Sequence, residues 1–248
     1  MQGYQHITNG GFESFSYPNG FKLILAHRPG VGRAQVSMTV RVGSKHEGAG
    51  ESGMAHLLEH MLFKSTTNIP NIKEYVGNLS KEWNANTSYD RTMYYETVTK
   101  DKVVEALSFE FDRLLNASFT EEDLRSEMTV VRNEMDMSES RPDSVLIHAA
   151  MKLSYPWHGY SRAVIGARSD VESAPFDVLV RFYRRFYHPS NTFVLVAGDF
   201  DRDAVLEQVM RSFAVVAPND SPARPEWTFD QHVLGSSRQD VYLQVQQS

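Results

Sequence analysis

The chain has 248 residues, a formal net charge of −6 at pH 7 and no cysteine. The absence of cysteine excludes disulfides, thiolate nucleophiles and cysteine-ligated zinc, which leaves histidine and carboxylate side chains as the strong metal ligands. The acidic balance offers no basic surface for a phosphate backbone, and no segment is long and apolar enough to span a bilayer, so we expect neither a nucleic-acid partner nor a membrane span.

The N-terminal residues 1–15 carry neither a basic region nor an apolar run, so no secretory signal is expected in the sequence as given. A chain trimmed of its signal would look the same. The expectation is therefore a soluble protein whose localisation is unknown, either cytoplasmic or periplasmic.

The first half of the chain predicts strands and then helices. Strands are expected over 21–28, over 35–42, where apolar residues alternate with polar ones, and near 89–99. A helix without breakers is expected over 54–63, and a second after Asp101. Thr120 is a good N-cap for a third helix, which has acidic residues in its first turn, an apolar stripe, and an end near Pro142.

The second half predicts helices over 145–153, 176–186 and 203–213 and a buried strand over 192–197. Residues 217–248 are expected to form a linker rich in Pro, Asp and Ser and a final strand at 240–246. Runs of strands and helices without strict alternation favour an α+β fold, a two-layer sandwich of a mostly antiparallel sheet with helices on one face. Residues 1–216 are then one domain.

The helix over 54–63 carries the pattern H-x-x-E-H. His56 and His60 are four residues apart, so their imidazoles project from one face of the helix, the arrangement that can hold a tetrahedral zinc ion. Glu59 lies between them on the same face, where it can act as general base toward a water molecule that the metal activates.

Two histidines leave a catalytic zinc site one protein ligand short. Glu134 is the predicted third ligand, because it lies on the helix that follows Thr120, whose apolar stripe indicates inward packing. Glu127, seven residues earlier on the same face, suits a supporting role, accepting a hydrogen bond from the other nitrogen of a ligand histidine.

The alternative for this motif is a helix whose histidines and glutamate form only a polar face. H-x-x-E-H is expected by chance about 0.02 times in a chain of this composition. Taken alone, Glu127 and Glu134 are more often solvated carboxylates than ligands. The remaining histidines lack ligand-like spacing and are expected to be surface or core residues: His6, His27, His46, His148, His158, His188 and His232.

Several ordered blocks of the sequence resemble the pitrilysin and mitochondrial processing peptidase family of zinc peptidases, in its N-terminal catalytic half. The blocks are 43–47 (GSKHE), 53–60 (GMAHLLEH), 84–88 (NANTS), 90–94 (DRTMY), Glu127 with 131–134 (VRNE), 165–166 (IG), 182–187 (FYRRFY) and 196–199 (VAGD). They fall into four groups in chain order, at 43–60, 84–94, 127–134 and 165–199, which makes an accidental match implausible.

The resemblance implies one zinc ion on His56, His60 and Glu134, with Glu59 as base and Glu127 supporting the ligands. It further implies substrate-binding residues, with Asn84 contacting the substrate main chain and 85–88, which includes Ala85 and Thr87, lying on an edge strand to which an extended peptide adds. Family members pair this half with a second, similar half or partner subunit that closes a chamber, and that half is missing from this sequence.

The resulting hypothesis is a zinc-dependent endopeptidase that hydrolyses peptides or unfolded segments bound in extended conformation. One alternative is a non-catalytic scaffold or partner subunit of the same fold, which predicts degenerate ligands. Another is a peptide-binding module with structural zinc, which predicts that Glu59→Gln leaves function unchanged. Structural zinc sites usually have four protein ligands, and only three are found here.

Overall fold

A seven-stranded sheet forms the frame of the structure, a computed structural model that describes residues 4–219. The strands are β1 (Gln5–Asn9), β2 (Phe12–Ser16), β3 (Lys22–His27), β4 (Arg33–Val40), β5 (Glu82–Thr87), β6 (Thr92–Thr99) and β7 (Thr192–Gly198). Their spatial order is β1-β2-β3-β7-β4-β6-β5, and the pair β3 and β7 is parallel while the other five pairs are antiparallel. The predicted mostly antiparallel α+β architecture is confirmed.

The helices supply the second layer. They are α1 (Met54–Met61), α2 (Ile72–Leu79), α3 (Val103–Asn116), α4 (Glu121–Ser140), α5 (Pro142–Ser154), α6 (Arg168–Glu172), α7 (Phe176–Phe186) and α8 (Arg202–Arg211). Helices α1 and α3 contact the sheet. In β4 the alternate residues Ala34, Val36, Met38 and Val40 are buried, because every second side chain of a strand points to the same face.

Most predicted elements are present with boundaries moved by a few residues, and the helix predicted over 176–186 has those limits in the structure. Strands β1 and β2 and helices α2 and α6 were not predicted from the sequence, and β5 was expected only through the family resemblance, which implies an edge strand at 85–88. All five residues of β1 are exposed, so no apolar alternation marks it. The predicted final strand at 240–246, and all of the predicted linker after residue 219, lie outside the described residues, so the domain boundary at 216 stays a prediction.

The described helices include none that is long and apolar enough to cross a bilayer. This agrees with the sequence, in which apolar stretches are short and charged residues are dispersed.

Helix α4 begins where the sequence predicts. The Thr120 hydroxyl oxygen accepts a hydrogen bond from the Asp123 backbone N–H at 3.1 Å, and the Asp123 carboxylate accepts one from the Thr120 backbone N–H at 2.8 Å. This reciprocal pair satisfies two N–H groups that would otherwise lack partners at the helix start. Three acidic residues in the first turn further stabilise it through the helix dipole.

Thr120→Ala should lower the free energy of unfolding by about 1 kcal/mol, because alanine removes the capping oxygen. Urea denaturation followed by circular dichroism measures the change. Thr120→Ser keeps the oxygen and serves as the control, with a stability close to that of the parent. Equal loss in both variants would show that the hydroxyl does not cap α4.

Candidate metal centre

The N-terminus of helix α1 is positioned by backbone hydrogen bonds to a buried carboxylate and by the close approach of two glycines. The buried Glu47 carboxylate accepts hydrogen bonds from the backbone N–H groups of Gly53 and Ala55, both at 2.9 Å. Gly53 has a φ of 92°, and a Cβ added to Gly166 would lie 2.5 Å from the Gly53 Cα. Two glycines therefore let the loop before α6 pack directly on the start of α1.

The apolar residues of α1 face the core and leave three polar side chains on the other side. Met54, Leu57, Leu58 and Met61 are fully buried, which follows from their helical spacing. His56, Glu59 and His60 are only partly buried. Helix α4 crosses this polar face and brings Glu127 and Glu134 to it.

His56, His60 and Glu134 direct one atom each toward a common point. The distance between the two Nε2 atoms is 3.4 Å, and the Glu134 Oε2 lies 3.5 Å from His56 Nε2 and 3.3 Å from His60 Nε2. Ligand atoms bound about 2.0–2.2 Å from a tetrahedral zinc ion lie about 3.3–3.6 Å from one another. The observed triangle therefore has the size that zinc requires, and these three residues form the group of potential metal ligands found in the described chain.

Glu127 orients His60. The His60 Nδ1–H donates to the Glu127 Oε1 at 3.0 Å, so Nε2 presents its lone pair to the common point. The Lys64 Nζ lies 2.5 Å from the other carboxylate oxygen of Glu127, Oε2, and forms an ion pair with it. The hydrogen bond from His60 lowers the pKa of Glu127 to about 2, with Lys64 adding to the effect against the opposing effect of burial. Glu127 is therefore anionic at neutral pH.

The two histidines differ in their protonation. Burial lowers the pKa of His56 to about 4, and the nearby His60 acts in the same direction, so His56 is neutral at pH 7. Burial also works against a charge on His60, but the Glu127 hydrogen bond and Glu134 raise its pKa overall. A proton therefore competes with a metal ion for His60 Nε2. The buried His56 Nδ1 has no hydrogen-bond partner among the described residues.

Glu59 has an environment suited to a base. Its pKa is raised, chiefly by burial, although the hydrogen bond from Thr87 opposes the shift. The Thr87 hydroxyl donates to the Glu59 Oε2 at 2.6 Å and so fixes the carboxylate beside His56. A carboxylate with a raised pKa is closer to the range in which general bases work at neutral pH.

The residues predicted to bind substrate lie on β5, which is the edge strand beside the site. Ala85 lines two cavities, of about 340 and 380 Å³, that both reach His56 and Glu59. Asn84 lines the larger one, and its side-chain oxygen accepts a hydrogen bond from the Ala85 backbone N–H. Thr87 lines the smaller one.

Several residues around the site were not predicted from the sequence, among them Lys64, Trp83 and His148. Lys64 binds Glu127, Trp83 lines the larger cavity, and His148 lines the smaller one. The spacing of four residues between His60 and Lys64 could have indicated the first. His148 was expected to be an ordinary surface or core residue, and no local pattern indicates its position, because it depends on how α5 packs.

The chain matches two sequence profiles and several known zinc proteases. Residues 22–168 match the sequence profile described as insulinase (peptidase family M16), and residues 173–247 match the profile of the peptidase M16 inactive domain. An uncharacterized zinc protease of Mycobacterium leprae is 33% identical over 198 residues, which is 79% of this chain and 44% of that protein. The zinc protease PqqE of Helicobacter pylori is 29% identical over 222 residues, which is 86% of this chain and 49% of that protein.

A solved structure is also similar. The crystal structure of a protease from Helicobacter pylori superposes with a TM-score of 0.80 and 28% identity, covering 86% of this chain and 52% of that one. The chain thus spans about half the length of the curated relatives that it matches.

Proposed function

The chain belongs to peptidase family M16, the insulinase family, and from this membership we propose that it is the zinc-binding half of a metalloendopeptidase. The observation that carries the proposal is the triangle of ligand atoms from His56, His60 and Glu134, with the Glu59 carboxylate beside it. Residues 1–216 would form the catalytic half-domain, and 217–248 would lead to a second half that closes a chamber over the substrate.

The substrate in this proposal is a peptide or an unfolded segment in extended conformation. Within residues 4–219 no strand pairs with the outer edge of β5 next to the site, so a peptide can add to it as an extra strand through main-chain hydrogen bonds. Main-chain pairing is largely independent of sequence, whereas the two cavities beside Ala85 would receive side chains. This arrangement would hold the peptide across His56 and Glu59.

The residues of the site would divide the chemistry among them. His56, His60 and Glu134 would hold one zinc ion per chain, which when bound polarises the scissile carbonyl and lowers the pKa of water to about 7. Glu59 would take the proton from the attacking water and deliver it to the leaving amine. Thr87 would keep the Glu59 carboxylate in position, and Glu127 would keep His60 in the tautomer that presents Nε2 to the metal.

Removal of the metal tests this function. Cleavage of an unstructured peptide by the chain together with its second half should fall at least 100-fold after dialysis against a chelator, and added zinc should restore it. Mass spectrometry of the products measures cleavage, and an equal dialysis without chelator is the control. A metal-loaded protein that cleaves nothing would favour the non-catalytic scaffold instead.

A further inference from the structure

The smaller of the two cavities beside the site has features that the proposed function does not use. It has a volume of about 340 Å³ and shares His56, Glu59 and Ala85 with the larger cavity, so the two meet at the site. The smaller cavity includes Asn86 and Thr87 of β5, whereas the larger one includes Trp83 and Asn84. Because residues 83–84 and 86–87 lie on either side of Ala85, a peptide running along β5 would place residues from opposite sides of the scissile bond in the two cavities.

The lining of the smaller cavity is polar without a free charge. Ser138 and His148 offer side-chain groups that can donate or accept hydrogen bonds, and Val164 and Ile165 supply apolar walls. Asn86 offers its amide N–H groups, since its Oδ1 already accepts a hydrogen bond from the Arg91 guanidinium at 3.0 Å. Among the described residues that line it there is no lysine, arginine or aspartate, and the Glu59 carboxylate is already hydrogen-bonded to Thr87. The larger cavity differs, since it is lined by Lys73 together with the rings of Phe63 and Trp83.

His148 reaches this cavity from α5, a helix without a fully buried residue. Its side chain is half-buried and is not part of the hydrophobic core. A side chain that fills no core position and faces a cavity beside Glu59 is available to contact a bound molecule.

We propose that this cavity is a subsite for a neutral amide side chain of the substrate, glutamine or asparagine, and that His148 is its specificity-determining residue. An amide both donates and accepts hydrogen bonds, which matches Asn86, Ser138 and His148. The residues that line the cavity include no lysine or arginine that could pair with a carboxylate, and Glu59 would repel one. A lysine or arginine would find no free carboxylate other than the base itself. The inference rests on the proposed function, since it assigns the substrate of the same site.

Cleavage of a peptide library by the zinc-loaded chain with its second half, read by mass spectrometry, first identifies the substrate position that the cavity selects. Two peptides are then compared that differ only in glutamine or leucine at that position. The parent protein should cleave the glutamine peptide with a kcat/KM about 3- to 10-fold higher, the size expected for one or two neutral hydrogen bonds. His148→Leu should abolish or reverse this ratio.

Matched variants separate specificity from folding. His148→Gln keeps a hydrogen-bonding group and should retain part of the preference, whereas a purely structural role would not distinguish Gln from Leu. Leu146→Gln lies on the same helix with a largely exposed side chain and should leave the ratio unchanged. An unchanged ratio in His148→Leu would overturn the proposal, as would a parent protein that cleaves both peptides equally.

A binding measurement separates failure of the subsite from failure of the proposed function. Fluorescence anisotropy with labelled glutamine and leucine peptides can be read on the Glu59→Gln variant, which should cleave them at least about 100-fold more slowly. A preference for the glutamine peptide that is lost on adding His148→Leu supports the subsite even if no variant hydrolyses any peptide. Equal dissociation constants for the two peptides would overturn the subsite even if hydrolysis is efficient.

Discussion

His60→Ala and Glu134→Ala are each expected to lose the bound zinc. The three candidate ligand atoms lie 3.3–3.5 Å apart, so in the proposed site each would supply one corner of the coordination polyhedron. With two protein ligands left, a catalytic zinc site falls below the three that it commonly uses. Zinc content after dialysis, measured by inductively coupled plasma mass spectrometry, should be one per chain in the parent and near background in both variants.

Two further variants sharpen this result. Glu139→Ala lies on the same helix as Glu134 with a largely exposed side chain that pairs with Arg168, so it should keep its zinc. Glu127→Ala removes the hydrogen bond that orients His60 but no ligand atom, so zinc affinity should fall by about 10- to 100-fold. Full zinc content in Glu134→Ala would exclude this residue as a ligand and would leave the third coordination position unassigned.

Glu59→Gln is expected to lower peptide hydrolysis by about 10²- to 10⁴-fold, the range of a lost general base. Glutamine keeps the size of the side chain and can still accept the hydrogen bond from the Thr87 hydroxyl. It cannot take a proton from water near neutral pH. Steady-state kinetics on an unstructured peptide, with the second half present, should therefore show the loss mainly in kcat.

Zinc content distinguishes this effect from loss of the metal. Glu59 contributes no atom to the triangle of ligands, so the variant should bind zinc as the parent does. A peptide-binding module with structural zinc predicts the opposite kinetics, with function unchanged in Glu59→Gln. Glu121→Gln replaces an exposed glutamate at the start of α4, away from the site, and serves as the control, with hydrolysis and zinc content like those of the parent.

The grouping of the candidate metal ligands was largely predictable because part of its geometry is local. The spacing of four residues places His56 and His60 on one face of any helix, and the seven-residue spacing does the same for Glu127 and Glu134. That α4 crosses α1 at these positions follows from tertiary packing, and the sequence suggested it only through the apolar stripe of α4 and the resemblance to a known family. The motif helix itself appeared at the predicted place.

Other features depend on contacts between distant segments. Strand β5 alternates exposed and half-buried residues, and its polar side chains give weak strand propensity, so it was missed as an independent element. The contact of Gly53 with Gly166 joins segments more than 100 residues apart in the chain. His148 lines a cavity only because α5 folds back after Pro142.

In the part of the chain that the structure describes, no strand pairs with the outer edge of β5, and this has a consequence for how the protein behaves in solution. An unpaired strand that accepts a peptide can also pair with the same strand of another copy, and proteins commonly prevent such association with proline, a bulge or a covering segment on the edge. In the proposed function this edge binds substrate, so none of these protections would suit it. The side chains of Glu82, Asn84 and Asn86 are exposed and polar, which disfavours self-association without closing the edge. Peptide ligands should therefore act as solubilising agents for this chain, since each bound peptide covers the strand through which copies would aggregate.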